Sequence, residues 1–482
     1  MNGTKYLLLL CDGLADEPAP GQPTPMEAAR LPHMDALAAC GELGTVRTVP
    51  PGMTPGSDVA NLGLLGYDPR RWYAGRAPLE AAGLGLVLAP DDAVFRCNLV
   101  TLGAGETLAE RCMLDHTAGG IASADAKTLL DFLNSSFADG TLRFCAGSAY
   151  RNLLVLHGQD ALPPSPLPPH DLLGQRVGAA LPKAGVLREV LERCARLLAG
   201  HPLNLARAAA GLPPANACWL WSGGRTAALP DFTAQWGLAG AVITASDLVG
   251  GIARLAGLRR VPVPGATGDV DTDYAGKARA ACSAFAAGAD FVFLHVEAPD
   301  ECGHRGDRTG KIFAAEQIDR LILGPLLCAL QGQPCRVLVL PDHATPVRLR
   351  THTAQPVPYV LADTAAVTAA VRMAPTDVAA VPLCCAAPAA FPAVTAAAAA
   401  SVAVPAAAAV PGTAASAPAA AAVAAQEMAV VPTAQEEQPS GTLLLQSAQE
   451  APFCLAFTER AAACTGLVQP SGEALFRHFL GR

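Results

Sequence analysis

The run Phe291-Val292-Phe293-Leu294-His295-Val296-Glu297-Ala298-Pro299-Asp300-Glu301-Cys302-Gly303-His304 passes at once from an apolar segment to a dense polar cluster. Asp300 and His304 stand four residues apart, which on a helical turn puts both side chains on one face. A carboxylate and an imidazole held that way are typical ligands of a divalent transition metal. Taken alone, such a pair is more commonly a surface contact. The downstream sequence changes the balance. Val337-Leu338-Val339-Leu340-Pro341 leads into Asp342-His343, and His352 follows in Arg350-Thr351-His352-Thr353. Acids and histidines thus gather at the ends of predicted strands, where open α/β sheets bind their ligands.

Upstream, Tyr6 to Cys11 reads as a buried strand with Asp12-Gly13 at its end. Asp12 is either a metal ligand or the acid of an Asx turn. Thr24-Pro25-Met26-Glu27 is a capping-box pattern opening a short helix. A second helix is expected from Pro32 to Cys40. The Pro/Gly-rich loop from Val49 ends at Ser57, just before a helical stretch. Ser57 is there either an N-cap or a nucleophile whose phosphoryl group would face backbone N–H groups. Phe95 to Thr101 reads as a strand interrupted by Arg96, which is either edge-exposed or an anion ligand.

Ile121 to Leu133 and Leu187 to Leu198 read as helices. Leu187, Leu191, Cys194 and Leu198 form an apolar stripe. Arg151 lies between two predicted strands, and His170-Asp171 closes a proline-dense loop. Cys218 to Trp221, Gly240 to Thr244 and Val261 to Pro264 read as strands, with a helix from Asp247 to Leu255. Lys277 is placed at the head of another helix. Repeated strand–helix alternation on either side of a middle block predicts a parallel α/β core with an inserted domain.

The chain has 482 residues and a formal charge of -8, with no long basic block. That argues against nucleic acid as the main partner. No run of 18 strongly apolar residues suggests a membrane span, and Met1 to Cys11 lacks a signal-peptide pattern. The 15 cysteines include the adjacent Cys384-Cys385 but no metal-binding C-x-x-C spacing. They read as small buried hydrophobes of a cytoplasmic protein. Ala398 to Ala425 is mostly alanine with recurrent proline, a composition expected to be disordered or loosely structured. Helical periodicity returns between Phe453 and Leu480.

Several of these motifs together resemble the cofactor-independent phosphoglycerate mutases of the archaeal-like type, in the alkaline phosphatase superfamily. They are Asp12-Gly13, the Pro-Gly-Ser-Asp-Val-Ala-Asn run ending at Asn61, Gly75-Arg76-Ala77-Pro78-Leu79-Glu80-Ala81 and Phe95-Arg96-Cys97-Asn98-Leu99-Val100. Pro169-His170-Asp171, His295 to His304, Leu340-Pro341-Asp342-His343 and Arg350-Thr351-His352-Thr353 complete the set. The resemblance runs from residue 1 to about 362 and resumes near 452.

It implies an α/β fold: an alkaline-phosphatase-like, mostly parallel sheet flanked by helices, with a smaller inserted α/β cap domain. The expected segments are residues 1–94 and 211–364 for the core, 95–210 for the cap, 365–451 for the biased insert and 452–482 for terminal core helices. It also implies two divalent metal ions, one on Asp300, His304 and His352 and the other on Asp12, Ser57, Asp342 and His343. That nitrogen/oxygen set suits Mn²⁺, Mg²⁺ or Zn²⁺. Ser57 becomes the nucleophile, Lys277 a second catalytic group, and Arg96, Arg151, His170 and Asp171 ligands of a small phosphorylated three-carbon acid.

The implied reaction interconverts 3-phosphoglycerate and 2-phosphoglycerate through a phosphoserine, without 2,3-bisphosphoglycerate. A homoserine kinase or a metal-dependent phosphatase is the alternative, and a non-catalytic scaffold a further one. The chain departs from the family at Gly120, where a histidine is usual. His116 is the candidate substitute. Cys302 replaces a usual alanine and reads as a packed thiol. The resemblance sets no oligomeric state.

Overall fold

The computed structural model describes residues 3–19, 21–226, 228–373 and 456–482. Cys384, Cys385 and the alanine-rich stretch 398–425 lie outside them, so the expectation of disorder there falls outside the described residues.

The larger of two sheets has eight strands in the order β13-β2-β12-β11-β1-β10-β8-β9. They are β1 (Lys5–Cys11), β2 (Glu42–Val46), β8 (Gly240–Ile243), β9 (Arg259–Arg260), β10 (Phe291–Val296), β11 (Cys335–Leu340), β12 (Val357–Asp363) and β13 (Val468–Gln469). The run from β11 to β9 is parallel, whereas β12 is antiparallel to both of its neighbours.

Alternation along the central strands divides the core. Leu7, Leu9, Val292, Leu294, Val337 and Val339 face one side; Leu8, Leu10, Phe291, Phe293, Leu338 and Leu340 face the other. Helices cover both faces, as a parallel sheet requires. Pro32–Cys40 and Tyr274–Ala286 lie on the first face; Ser57–Leu64, Asp247–Leu255 and Gly472–Phe479 lie on the second. The terminal segment is part of this core: Phe476 packs edge-on against Phe291, and β13 pairs with β2.

The smaller sheet is antiparallel. It contains β3 (Ala93–Leu102), β4 (Met113–Asp115), β5 (Leu142–Ser148), β6 (Arg151–Leu156) and β7 (Ala217–Arg225). Helices Ser123–Ser136 and Val186–Ala199 pack on it through Leu129, Leu133 and the expected stripe Leu187, Leu191, Cys194 and Leu198.

Four sequence expectations need correction. Arg96 does not interrupt a strand or lie at an edge: β3 is continuous, with β6 on one side and β7 on the other. The strand starting near Cys218 runs on to Arg225 and hydrogen-bonds to β3, so it belongs to the smaller sheet and not to the core segment expected from residue 211. Val261 to Pro264 is not a strand, because Pro262 and Pro264 lack ladder donors; the short strand there is Arg259–Arg260. Finally, the helix Thr364–Met373 crosses the boundary expected at 365, with Val367 and Ala370 buried in the core.

Candidate active site

Register places the main site. Leu10 of β1 pairs with His295 of β10 and with Leu340 of β11. These strands are parallel, so their C-terminal ends deliver Asp12, His295 and the Asp342-His343 pair to one edge. The helix Ala298–Arg305 follows β10 directly and carries Asp300 and His304. Gly13 allows the approach. Its φ is +61°, and a Cβ there would lie 2.4 Å from Asp300 Oδ1.

Asp300 is the hub. Its Oδ2 is 3.3 Å from His304 Nε2 and its Oδ1 is 3.6 Å from His352 Nε2. The two imidazole Nε2 atoms are themselves 2.9 Å apart. Burial opposes the charge on Asp300, but the bonds from His304 and His352 hold its carboxyl well below the usual range. Asp12, Asp300 and His343 form a second group of converging ligand atoms, so Asp300 stands in both.

Asp342 is differently occupied. Its Oδ1 accepts from the Gly13 and His343 N–H groups, and its Oδ2 accepts from Asn61 Nδ2 while lying 3.4 Å from His343 Nε2. Burial lowers the His343 pKa to about 4, which leaves the imidazole neutral with a lone pair to offer.

Ser57 is not an N-cap. Gly56 caps the helix Ser57–Leu64 and Ser57 is its first residue. Its Oγ lies 3.1 Å from His343 Nε2 and 3.5 Å from Asp12 Oδ2. The intrahelical ladder begins with Ala60 N–H to Gly56 O, so the N–H groups of Ser57 and Asp58 precede it and face the helix entrance. Burial, and then Asp342, raise the Asp12 pKa well above the usual carboxylate range.

The residues fit a cation. Asp12 Oδ1 is buried and, among the described residues, has no hydrogen-bond partner. Two imidazole nitrogens point at one another, and three carboxylates crowd a buried space. Each is costly without a positive charge between them and usual for hard or borderline metal ligands.

The expected substrate ligands gather on the smaller sheet. Arg96 is buried; its Nε donates to Glu80 Oε2 at 2.9 Å and its guanidinium lies 4.3 Å from the Trp221 ring centre. Arg151 is exposed and donates from Nε to Tyr150 Oη at 3.1 Å. The His170 ring is 5.6 Å from Trp221 and 6.1 Å from His116, so His116 brings an imidazole into this cluster. Gly120 is exposed at φ +65°. Asp171 is exposed, with Oδ1 3.7 Å from His170 Nε2. Electrostatic coupling of Arg151 to Glu301, and of His170 to His304, ties this cluster to the acidic one.

Lys277 meets the acidic cluster through His295, the partner of Asp12. It is fully buried and its Nζ donates to the His295 carbonyl at 3.1 Å. Burial lowers its pKa to about 8, opposed by nearby Glu297. Cys302 is fully buried, and burial pushes its thiol up to about 11, as a packed side chain requires.

Sequence reasoning missed several supporting groups. His295 joins Asp12 Oδ2 through Nε2 at 2.8 Å and Thr244 Oγ1 through Nδ1 at 2.8 Å. Thr345 Oγ1 bonds Asp300 and His343, and its carbonyl accepts from the buried Lys311. His295 did carry a signal: it is the lone polar residue within the strand Phe291–Val296. Thr345 and Lys311 carried none.

A profile of the 2,3-bisphosphoglycerate-independent phosphoglycerate mutases matches residues 38–204. A protein of that name from Methanothrix thermoacetophila is 46% identical over 366 residues, spanning 74% of this chain and 90% of its own length. The chain belongs to the 2,3-bisphosphoglycerate-independent phosphoglycerate mutase family. A probable mutase of the same kind from Geobacter sulfurreducens is 45% identical, over 74% of this chain and 90% of that one. A solved Pyrococcus horikoshii structure superposes with a TM-score of 0.63 at 29% identity, covering 75% of this chain and 88% of its own. The alkaline-phosphatase-like core of the mutase family accounts for the parallel sheet and for the acids and histidines at its edge. No described helix is long and apolar enough to cross a membrane.

Proposed function

We propose that this chain interconverts 3-phosphoglycerate and 2-phosphoglycerate without 2,3-bisphosphoglycerate, with Ser57 as the transient phosphoryl acceptor. The observation that carries the reading is the position of Ser57 Oγ. It sits at a helix entrance, 3.1 Å from His343 and 3.5 Å from Asp12, beside an Asp12 oxygen with no hydrogen-bond partner among the described residues.

Asp300, His304 and His352 would hold one divalent ion; Asp12, Ser57, Asp342 and His343 would hold a second, with Asp300 close enough to serve both. Mn²⁺, Mg²⁺ and Zn²⁺ all suit these donors. When bound, such ions lower the pKa of a serine hydroxyl and screen phosphate charge during in-line transfer.

The chain supplies the rest. Ser57 Oγ forms a bond to phosphorus as the bond to the substrate oxygen breaks, the serine proton ending on that oxygen as the glycerate hydroxyl, and the N–H groups of Ser57 and Asp58 face the equatorial oxygens. Arg96 and Arg151 hold the acid's charged groups by bidentate contacts, with His170 and Asp171 at the mouth. Glycerate turns without leaving, and its other hydroxyl takes the phosphoryl group back. The smaller sheet must exclude water meanwhile, because hydrolysis of the phosphoserine would make the enzyme a phosphatase. Lys277 donates to the His295 carbonyl and holds the end of β10 beside Asp12, its charge acting on the His295 ring.

Conversion of 3-phosphoglycerate, coupled to enolase and run without 2,3-bisphosphoglycerate, tests the reading. Isomerisation abolished by EDTA and restored by Mn²⁺, with little free phosphate, is expected. Phosphate release without isomerisation would exclude it.

A further inference from the structure

The Arg76-Glu80 pair stands outside every role assigned so far. Arg76 opens the helix Arg76–Gly83, directly after Gly75. Gly75 has a φ of +105°, and a Cβ there would lie 2.7 Å from the Gly223 carbonyl of β7. The helix start is therefore pinned against the smaller sheet. One turn on, Glu80 uses both of its oxygens. Oε1 accepts from Arg76 Nε at 2.9 Å and Oε2 accepts from Arg96 Nε at 2.9 Å.

A structural bridge between helix and sheet needs only one of these bonds. The second guanidinium is in excess. Each Nε bond uses one of five donors on its arginine. The Arg96 plane is fixed against Trp221, and the Arg76 side chain keeps 30% exposure compared with 8% for Arg96. Arg76 also feels the charge of Asp58, the neighbour of Ser57, and Tyr73 Oη holds that carboxylate at 2.6 Å. Arg151 adds a third guanidinium within electrostatic reach of Glu80, Arg76 and Arg96. Burial opposes the charge on Glu80, yet Arg96 and Arg76 hold its carboxyl below the usual range. It is an ionised anchor between two cations.

We propose that Arg76 is a third arginine binding an anionic oxygen group of the substrate, and that Glu80 is the positioning residue aiming Arg76 and Arg96 at it. This rests on the phosphoglycerate reading. The ligand chemistry is a planar or tetrahedral oxyanion, matched by the guanidinium fork. It belongs to either end of the substrate, the phosphoryl group or the carboxylate.

The test uses full-length Arg76→Met, Arg76→Lys and Glu80→Gln proteins with the metal present. KM and kcat for 3-phosphoglycerate are measured, together with competitive inhibition by inorganic phosphate and by D-glycerate. Arg76→Met is expected to raise KM at least tenfold. Arg76→Lys, which keeps the charge but loses the fork, falls between it and wild type. Glu80→Gln raises KM at least threefold with kcat less affected. Weakened phosphate inhibition in Arg76→Met places Arg76 at the phosphoryl group; weakened glycerate inhibition places it at the carboxylate. A folded Arg76→Met protein with KM and both inhibition constants within threefold of wild type overturns the proposal. The same outcome in Glu80→Gln alone overturns the positioning role. Should Glu80→Gln not fold, Glu80→Asp, which keeps the charge, takes its place under the same criterion. A wild type that does not isomerise overturns the phosphoglycerate reading instead, while calorimetric binding of inorganic phosphate still decides the part played by Arg76.

Discussion

The two sheets build their polar clusters by opposite means. At the edge of the larger sheet, short side chains on strand ends converge: Asp12 follows β1 directly, Asp342 and His343 follow β11 after Pro341, and Asp300 sits near the start of the helix after β10. Negative charge is in excess there, and Asp12 Oδ1 has no hydrogen-bond partner among the described residues. On the smaller sheet, long arginines are steered by neighbours, with Glu80 and Trp221 fixing Arg96 and Tyr150 meeting Arg151. Positive charge is in excess. The first cluster asks for a cation; the second asks for an anion. On the proposed reading, a phosphorylated acid held between them would satisfy the second directly, and the first through whatever ion the acids hold.

The largest test of this contrast is at Ser57. Ser57→Ala removes the hydroxyl that lies between His343 and Asp12, and isomerisation should fall by at least about a thousandfold, as for other removed nucleophiles. Asp300, His304 and His352 do not depend on Ser57, so metal content measured by elemental analysis should fall by no more than one ion. Activity near the wild-type value would remove Ser57 from the chemistry.

Asp300→Asn should come next, because this carboxylate belongs to both groups of ligand atoms. Loss of both ions, with activity down by about a hundredfold or more, is expected when a ligand is neutralised. His304→Ala touches only one group and should lose a single ion. Equal losses in the two variants would show that the groups are not distinct.

Within the smaller sheet, burial ranks the arginines. Arg96→Ala strips a buried guanidinium from Glu80 and Trp221, which leaves a buried carboxylate short of one partner. It should raise KM about a hundredfold and cost about 2–4 kcal/mol of stability. Arg151→Ala removes an exposed side chain and should raise KM about tenfold, with stability within about 0.5 kcal/mol of wild type. Chemical denaturation beside steady-state kinetics separates the two effects. The reverse ranking would mean that Arg96 is only a bracket.

The same contrast explains what the sequence disclosed. Strand-end ligands are legible because an apolar run stopping at Asp or His marks both the strand and its end, as in Leu340-Pro341-Asp342-His343. Arg96 was misread as an interruption because its partner Glu80 lies on a helix 16 residues earlier; nothing local shows that its charge is met. Ser57 looked like a cap because a serine opening a helix is usually one, and only the tertiary fold brings His343 to its hydroxyl. Strand β7 was misplaced for a similar reason, since an isolated apolar run does not say which sheet it joins.

The smallest effect is a matter of sign, carried by two partly buried glutamates. Glu297 caps the helix Ala298–Arg305 on the side of the acidic cluster. Burial raises its pKa from 4.5 to about 7, against the opposing pull of Lys277. An acid whose folded pKa is raised contributes stability below its unfolded pKa and loses that contribution as pH rises through the folded value. In metal-free protein, wild type should therefore lose stability relative to Glu297→Gln between about pH 4.5 and 7. Glu80 is held below its usual range by Arg96 and Arg76 despite its burial. Its contribution is present above the unfolded pKa and is lost as pH falls through the folded one, so wild type loses stability relative to Glu80→Gln on acidification. Urea midpoints of the two variants and wild type, measured in EDTA from about pH 3 to pH 8, would show difference curves of opposite slope, that of Glu80 below its ordinary pKa of 4.5 and that of Glu297 between 4.5 and about 7. Parallel curves would mean that the surroundings of the two carboxylates do not differ, because burial outweighs Lys277 at Glu297 whereas Arg96 and Arg76 outweigh burial at Glu80.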